Sequence, residues 1–297
     1  MESELRVSAR PELTRPVLVA AFRGWNDGAQ AASLAAGYLA KLWGADQIAD
    51  IDPEGFFDFQ ATRQHVSLVD GITRQIDWPE TAFYRAKPLG LERDVVLLLG
   101  IEPNVRWRTF TDLVVGHVQE LDIELVVTLG ALLADVPHTR PSPVTGSASN
   151  QELVKELGLS TSRYEGPTGI VGVVHDACNK AGIPSASLWA AVPHYVSLTP
   201  SPRAASALCD RLGTLLGTEI DTAELDQAAE TYEEQVSQAV ASDEETSAYV
   251  EELEHRADTV EEDFELPSGD ALAAELTRYL REREAGNGES GPRGPAS

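Results

Sequence analysis

Four short apolar runs constrain this chain more than any other feature. Val17–Ala21, Val95–Leu99, Leu125–Leu129 and Leu188–Val192 each hold five residues with at most one polar member. A strand with one wet face alternates apolar and polar side chains, whereas a strand covered on both faces does not. Three of the runs are followed by helical spacing, over Asn26 to Leu42, Trp107 to Leu121 and Pro202 to Leu216, and Gln47 to Asp52 reads as one more strand. Strands alternating with helices give an α/β fold with a mostly parallel sheet covered on both faces.

Two segments depart from this rhythm. Between Gln64 and Trp78, apolar positions alternate on both sides of Asp70-Gly71, the pattern of a β-hairpin inserted into the sheet domain. Such a hairpin has to bury its apolar face on its own domain or on a neighbouring subunit. Beyond residue 218 the chain turns acidic: from Glu219 onward there are 23 Asp and Glu against 5 Arg and no Lys. Leu225, Ala228, Tyr232, Val236 and Val240, then Tyr249, Leu253, Ala257, Val260 and Phe264, recur at helical intervals. Ser242 to Glu245 has capping-box form, so a helical hairpin turning near 242 is expected, followed by a third helix from Asp270 to Leu280. The organisation read from this is a core domain over 1–218, an acidic helical extension over 219–285 that acts as lid or docking element, and a disordered tail over 286–297.

A net charge of −25 argues against a nucleic-acid binder, which needs clustered Lys and Arg to displace counterions. The charged N-terminus lacks the apolar region of a signal peptide, and no run has the length of a membrane span, so a cytoplasmic protein away from membranes is expected. Cys178 and Cys209, far apart and outside any C-x-x-C, read as buried thiols, and the six His show no metal-ligand spacing. Phosphate-loop, nucleophile-elbow, zinc-protease and dinucleotide signatures are all missing, so neither a metal nor a cofactor is expected.

In open α/β sheets ligands sit where strands exit into helices. Four exits are compositionally unusual. Phe22 to Gly28 contributes Gly24, Trp25, Asn26, Asp27 and Gly28, with Asn26 or Asp27 suited to cap a helix and Trp25 to line a ligand wall. Gly100 to Trp107 brings Glu102 and Arg106; Gly130 to Asn150 brings His138 and Arg140; Tyr164 to Gly172 brings Thr168 and Gly169 at a helix start. His194 follows the last strand. If the loops form one cleft, with Arg106 among its ligand-binding residues, Glu102 or His138 supplies the general acid or base, while Arg140 and the helix amides at 26–28 or 169–171 hold an anion.

Five motifs, Phe22-Arg23-Gly24-Trp25-Asn26-Asp27-Gly28, Gly100-Ile101-Glu102-Pro103, Thr128-Leu129-Gly130-Ala131, Gly166 to Gly172 and Ala190 to Tyr195, occur in the order and spacing of a known family. The chain resembles the proteasome assembly chaperone 2 family, in particular its actinobacterial branch. That resemblance implies a three-layer α/β/α domain like that of nucleoside phosphorylases, a tendency to form homo-oligomers with a trimer among the open states, and a proteasome-related protein partner. It carries over no catalytic residues. Two readings stay open at this point: an assembly or interaction factor that self-associates through the hairpin, and a small-molecule enzyme or binder with the extension as lid.

Overall fold

The computed structural model describes residues 4–160, 164–196 and 198–259. Its elements in chain order are β1 (Leu5–Val7), β2 (Val17–Arg23), α1 (Ala31–Leu42), β3 (Asp46–Ile51), β4 (His65–Val69), β5 (Thr73–Asp77), β6 (Ala82–Ala86), β7 (Val95–Ile101), α2 (Trp107–Glu120), β8 (Leu125–Ala134), β9 (Val144–Ala148), α3 (Gln151–Glu156), α4 (Ile170–Lys180), β10 (Ser185–Pro193), α5 (Pro202–Leu216), α6 (Ala223–Val240) and α7 (Glu244–Thr259). Eight strands form one sheet in the order β1-β3-β6-β7-β2-β8-β10-β9. The four apolar runs occupy its centre, β7, β2, β8 and β10, and pair in parallel. Antiparallel strands complete both edges.

Alternate residues of the central strands feed two cores. Val17, Val19 and Ala21 of β2 face α1 and α5, whereas Leu18, Ala20 and Phe22 face α2 and α4. All six are buried. The result is the three-layer α/β/α arrangement. Cys209 lies in the first core and Cys178 in the second, where burial pushes their thiols up to about 12 and about 11.

Two boundaries differ from the periodicity reading. Helix α1 begins at Ala31 rather than Asn26, because Ala29 and Gln30 take left-handed backbone angles after a single tight turn. Strand β8 runs past Gly130 to Ala134, and β9 follows at Val144, so the expected loop of 20 residues shrinks to 135–143. Gly130 is compatible with a strand because the Trp189 ring occupies the space of its missing side chain, 2.6 Å from where a Cβ would stand.

β4 and β5 form a separate two-stranded ribbon. Asp70 and Gly71 both sit at positive φ, and Ile72 N–H donates to the Val69 carbonyl at 3.2 Å, a tight primed turn. Val66 pairs with Ile76 and Leu68 with Arg74, so Val66, Leu68 and Ile76 share one face. That face is open: Val66 is 61% exposed, Leu68 60% and Ile76 53%, with Ile72 and Trp78 exposed beside them.

The acidic extension folds back on its own domain. Leu225, Ala229, Tyr232 and Val236 of α6 and Val250 and Leu253 of α7 are buried, and α6 packs against α5. The turn between them is capped by Asp243, which accepts from the Thr246 hydroxyl and amide, instead of by a Ser242 box; the Ser242 hydroxyl donates back to the Ala239 carbonyl at 2.6 Å. The expected helix from Asp270 and the tail 286–297 lie outside the described residues.

Candidate functional site

Three of the four unusual loops meet at one carboxylate. Glu102, just past the end of β7, accepts from Ile170 N–H at 2.9 Å through Oε1 and from Trp25 N–H at 3.3 Å through Oε2. Its carboxylate thus sits on the positive end of α4 and ties the exits of β2 and β7 to that helix. The contact requires backbone without side chains. A Cβ on Gly24 would lie 2.7 Å from Glu102 Cβ, and one on Gly169 would overlap Asn26 Oδ1 and stand 2.6 Å from Glu102 Oε1.

Asp27 fills the second helix terminus. Its Oδ1 accepts from Ala32 N–H at 2.8 Å and Ser33 N–H at 3.2 Å, so Asp27 is the cap of α1 even though a tight turn separates them. Asn26 Oδ1 and Asp27 Oδ2 are buried without a hydrogen-bond partner among the described residues. Burial pushes the Asp27 carboxyl up to about 6, against the lowering pull of its Ser33 and Ala32 bonds and of Arg23. Gly28 lies against the Ala131 and Leu132 backbone, and Trp25 is half-buried.

The third loop goes elsewhere. His138 is buried at 3% exposure; its Nδ1 lies 2.8 Å from the Tyr195 hydroxyl and its Nε2 2.9 Å from the Ser237 hydroxyl on α6. The Tyr195 oxygen also accepts His138 N–H at 2.8 Å, so one hydroxyl contacts both the backbone and the ring of His138. Burial holds the imidazole below its ordinary value, opposed by Glu233 and Glu254. Arg140 forks onto Asp258 at 2.8 and 2.9 Å, Thr139 bonds Glu254, and Tyr249 bonds Asp135, whose Oδ1 is 3.2 Å from His194 Nδ1. The rings of His138, Tyr195, His194 and Tyr249 stack edge to face. This cluster fastens the extension over the 135–143 loop and leaves a cavity of only about 10 Å³ there. Leu253→Ala, at 1% exposure in α7, should cost about 2 to 3 kcal/mol and release the extension first. Limited proteolysis should then cut within 219–259 before the sheet domain; simultaneous loss of both would contradict this.

A cleft of about 1030 Å³ opens at the C-terminal ends of β2 and β7. Of the residues expected to form a site, Gly24 and Glu102 line it; His138, Arg140 and His194 belong to the clamp. Arg106 turns away: its Nη1 is 2.5 Å from Glu4 Oε1 and its guanidinium lies 5.0 Å over the Phe56 ring. Thr168 is exposed beside Gly172. Sequence reasoning missed Arg23, Arg63, Glu80 and Trp78 as cleft residues. Only Arg23 had a signal, as the last residue of an apolar strand. The described residues of the extension do not line this cleft, so the expected lid sits over a different loop. Among the described residues no group of three or more His, Cys, Asp or Glu is arranged to hold a metal ion, and no helix is long and apolar enough to cross a membrane.

Comparison with known proteins adds a family to this geometry. A family model described as the PAC2 family matches residues 21–240. A PAC2 family protein from Streptomyces avermitilis is 46% identical with a TM-score of 0.74, over 79% of this chain and 99% of that one. A proteasome-assembly chaperone homologue from Mycobacterium tuberculosis is 47% identical with a TM-score of 0.72, again over 79% and 99%. An archaeal proteasome activator from Pyrococcus furiosus shares the fold at 19% identity and a TM-score of 0.62, over 79% of this chain and 97% of that one. No curated protein matches.

Proposed function

The chain belongs to the PAC2 family, and on that premise we propose that it is an interaction factor for assembly: it self-associates through the 65–77 hairpin and handles proteasome-related subunits. The observation that carries this reading is the open apolar face of the ribbon. A two-stranded hairpin is marginal on its own, and one with Val66, Leu68 and Ile76 all more than half exposed gains about 25 cal/mol for each Å² it covers. A second copy is the occupant that every solution of the protein supplies. The 47% identical relative that is a proteasome-assembly chaperone homologue supports the partner class.

The site chemistry is consistent with a role that needs no covalent catalysis. Glu102 is committed to two backbone amides and His138 to two hydroxyls, so both groups proposed as general acid or base serve as struts. The test is light scattering after size exclusion with the full chain and a Val66→Ser, Leu68→Ser, Ile76→Ser variant. The wild-type chain should run as an oligomer and the variant as a monomer with an unchanged circular dichroism spectrum. A monomeric wild type, or an oligomer that survives the three substitutions, overturns the hairpin reading. In parallel, native gels of purified core-particle α and β subunits with and without the chain test the partner: no binding and no change in assembly rate would remove it.

A further inference from the structure

Both helix termini beside the strand exits already hold a carboxylate of the chain, Asp27 on α1 and Glu102 on α4. An anionic ligand therefore finds no vacant helix end at α1 or α4. What the 1030 Å³ cleft offers is side chains of both signs. Arg23 and Arg63 line it, and neither has a carboxylate within ion-pair distance among the described residues, although Arg85, Arg106, Arg140 and Arg203 are all paired. Arg10, Arg74, Arg108 and Arg211 likewise have no carboxylate partner among the described residues, but Arg23 and Arg63 share this one concavity. A cation held near a cleft without a partner lowers the cost of desolvating an incoming anion.

The same cleft carries Glu80 and Glu102, and Trp78 and Trp107 add aromatic surface. The Glu102 carboxylate is held in place by two amides and by two positions with no room for a side chain, so it is oriented before anything binds. The fixed Glu102, the exposed Glu80, unpaired guanidiniums and indole rings match a ligand with an ammonium at one end, a carboxylate at the other and apolar groups between. The volume is at the upper end of the range for small-ligand pockets, about 300 to 1,000 Å³, which excludes a single amino acid as the filling ligand.

We infer that this cleft binds short peptides with free ends, the carboxylate on Arg23 and Arg63, the ammonium towards Glu80 and Glu102, and apolar side chains against Trp78 and Trp107. The cleft adjoins the base of the hairpin through His65, Asp77 and Trp78, and peptide binding is read separately from oligomer size. A site of this kind recognises free peptide ends, with the Glu102 carboxylate already oriented by its two amide bonds.

Equilibrium dialysis of the full chain against an equimolar tripeptide mixture, read by mass spectrometry, tests it in three arms: free ends, N-acetylated and C-amidated. Free-ended peptides with an apolar central residue should be retained, and blocking either end should lower retention at least tenfold. Arg23→Gln with Arg63→Gln should weaken the free-ended set to the level of the amidated set and leave the amidated set unmoved. Glu80→Gln should do the same for the acetylated comparison. Both arginines and Glu80 are exposed, so circular dichroism should show all variants folded. No retention of free-ended tripeptides, or retention indifferent to blocking and to the arginine pair, overturns the inference. An oligomer that binds no peptide would do so while leaving the assembly reading in place.

Discussion

Gly169→Val should lower the unfolding free energy by about 3 kcal/mol, the largest loss expected from one substitution away from the two cores. A side chain there drives into the buried Asn26 Oδ1 and into Glu102 Oε1, which Ile170 N–H holds in place. Overpacking of this kind costs about 1 to 3 kcal/mol, and displacing Glu102 from Ile170 N–H forfeits a charged hydrogen bond of about 1.5 to 3 kcal/mol. Partial relaxation of the loop makes the two costs overlap. Gly37→Ala, in an exposed turn of α1 with no atom near the new methyl, is the control and should gain about 0.5 to 1 kcal/mol. Urea titrations of the three proteins decide the matter; equal midpoints for Gly169→Val and the parent would show that the three loops are not locked through Glu102.

Asp27→Asn should remove a pH dependence of about 3 kcal/mol, the second large effect. The folded-state carboxyl titrates at about 6 and the unfolded one at 3.8. As pH rises from 4 to 6, the unfolded chain loses this proton first and is favoured by it. Stability linked to Asp27 is therefore fully present below pH 3.8 and declines until about pH 6, a gap of roughly two pH units worth about 3 kcal/mol. Asn caps a helix about as well as Asp, so the variant keeps the Ala32 and Ser33 bonds without the buried charge. Subtracting the two pH profiles isolates the effect from the chain's many other carboxylates. A difference that stays constant from pH 4 to 7 would place Asp27 in contact with solvent.

Both effects arise from the stretch Gly24 to Gly28, whose density of special residues now has a division of labour. Asp27 caps α1, Trp25 lends its amide to Glu102, Gly24 clears space for that carboxylate, and Asn26 closes on Gly169. Asp27 acts inward on α1, whereas Glu102 both ties the loops together and lines the cleft with Arg23, Arg63 and Glu80.

The central strands, the flanking helices, the hairpin over Asp70-Gly71 and the amphipathic α6 and α7 were legible in the sequence, because each expresses a period or a turn rule local to a few residues. β1, β6 and β9 were not. Ala82–Ala86 mixes Phe83, Tyr84 and Arg85 without a clear period, and its strand state comes from antiparallel pairing with β3 on one side and β7 on the other. The site divided in the same way. Composition alone marked four loops as unusual and named Glu102, Asp27 and His138. Which loops meet depends on sheet order: β7 and β2 are neighbours, so Glu102 reaches Trp25 and α4, while the 135–143 loop leaves β8 on the side where α6 and α7 pack. Local periodicity thus determined which segments become strands and helices. Whether Glu102 and Arg140 brace the protein or face a ligand was decided only by the tertiary structure, since their partners Ile170 and Asp258 lie 68 and 118 positions away.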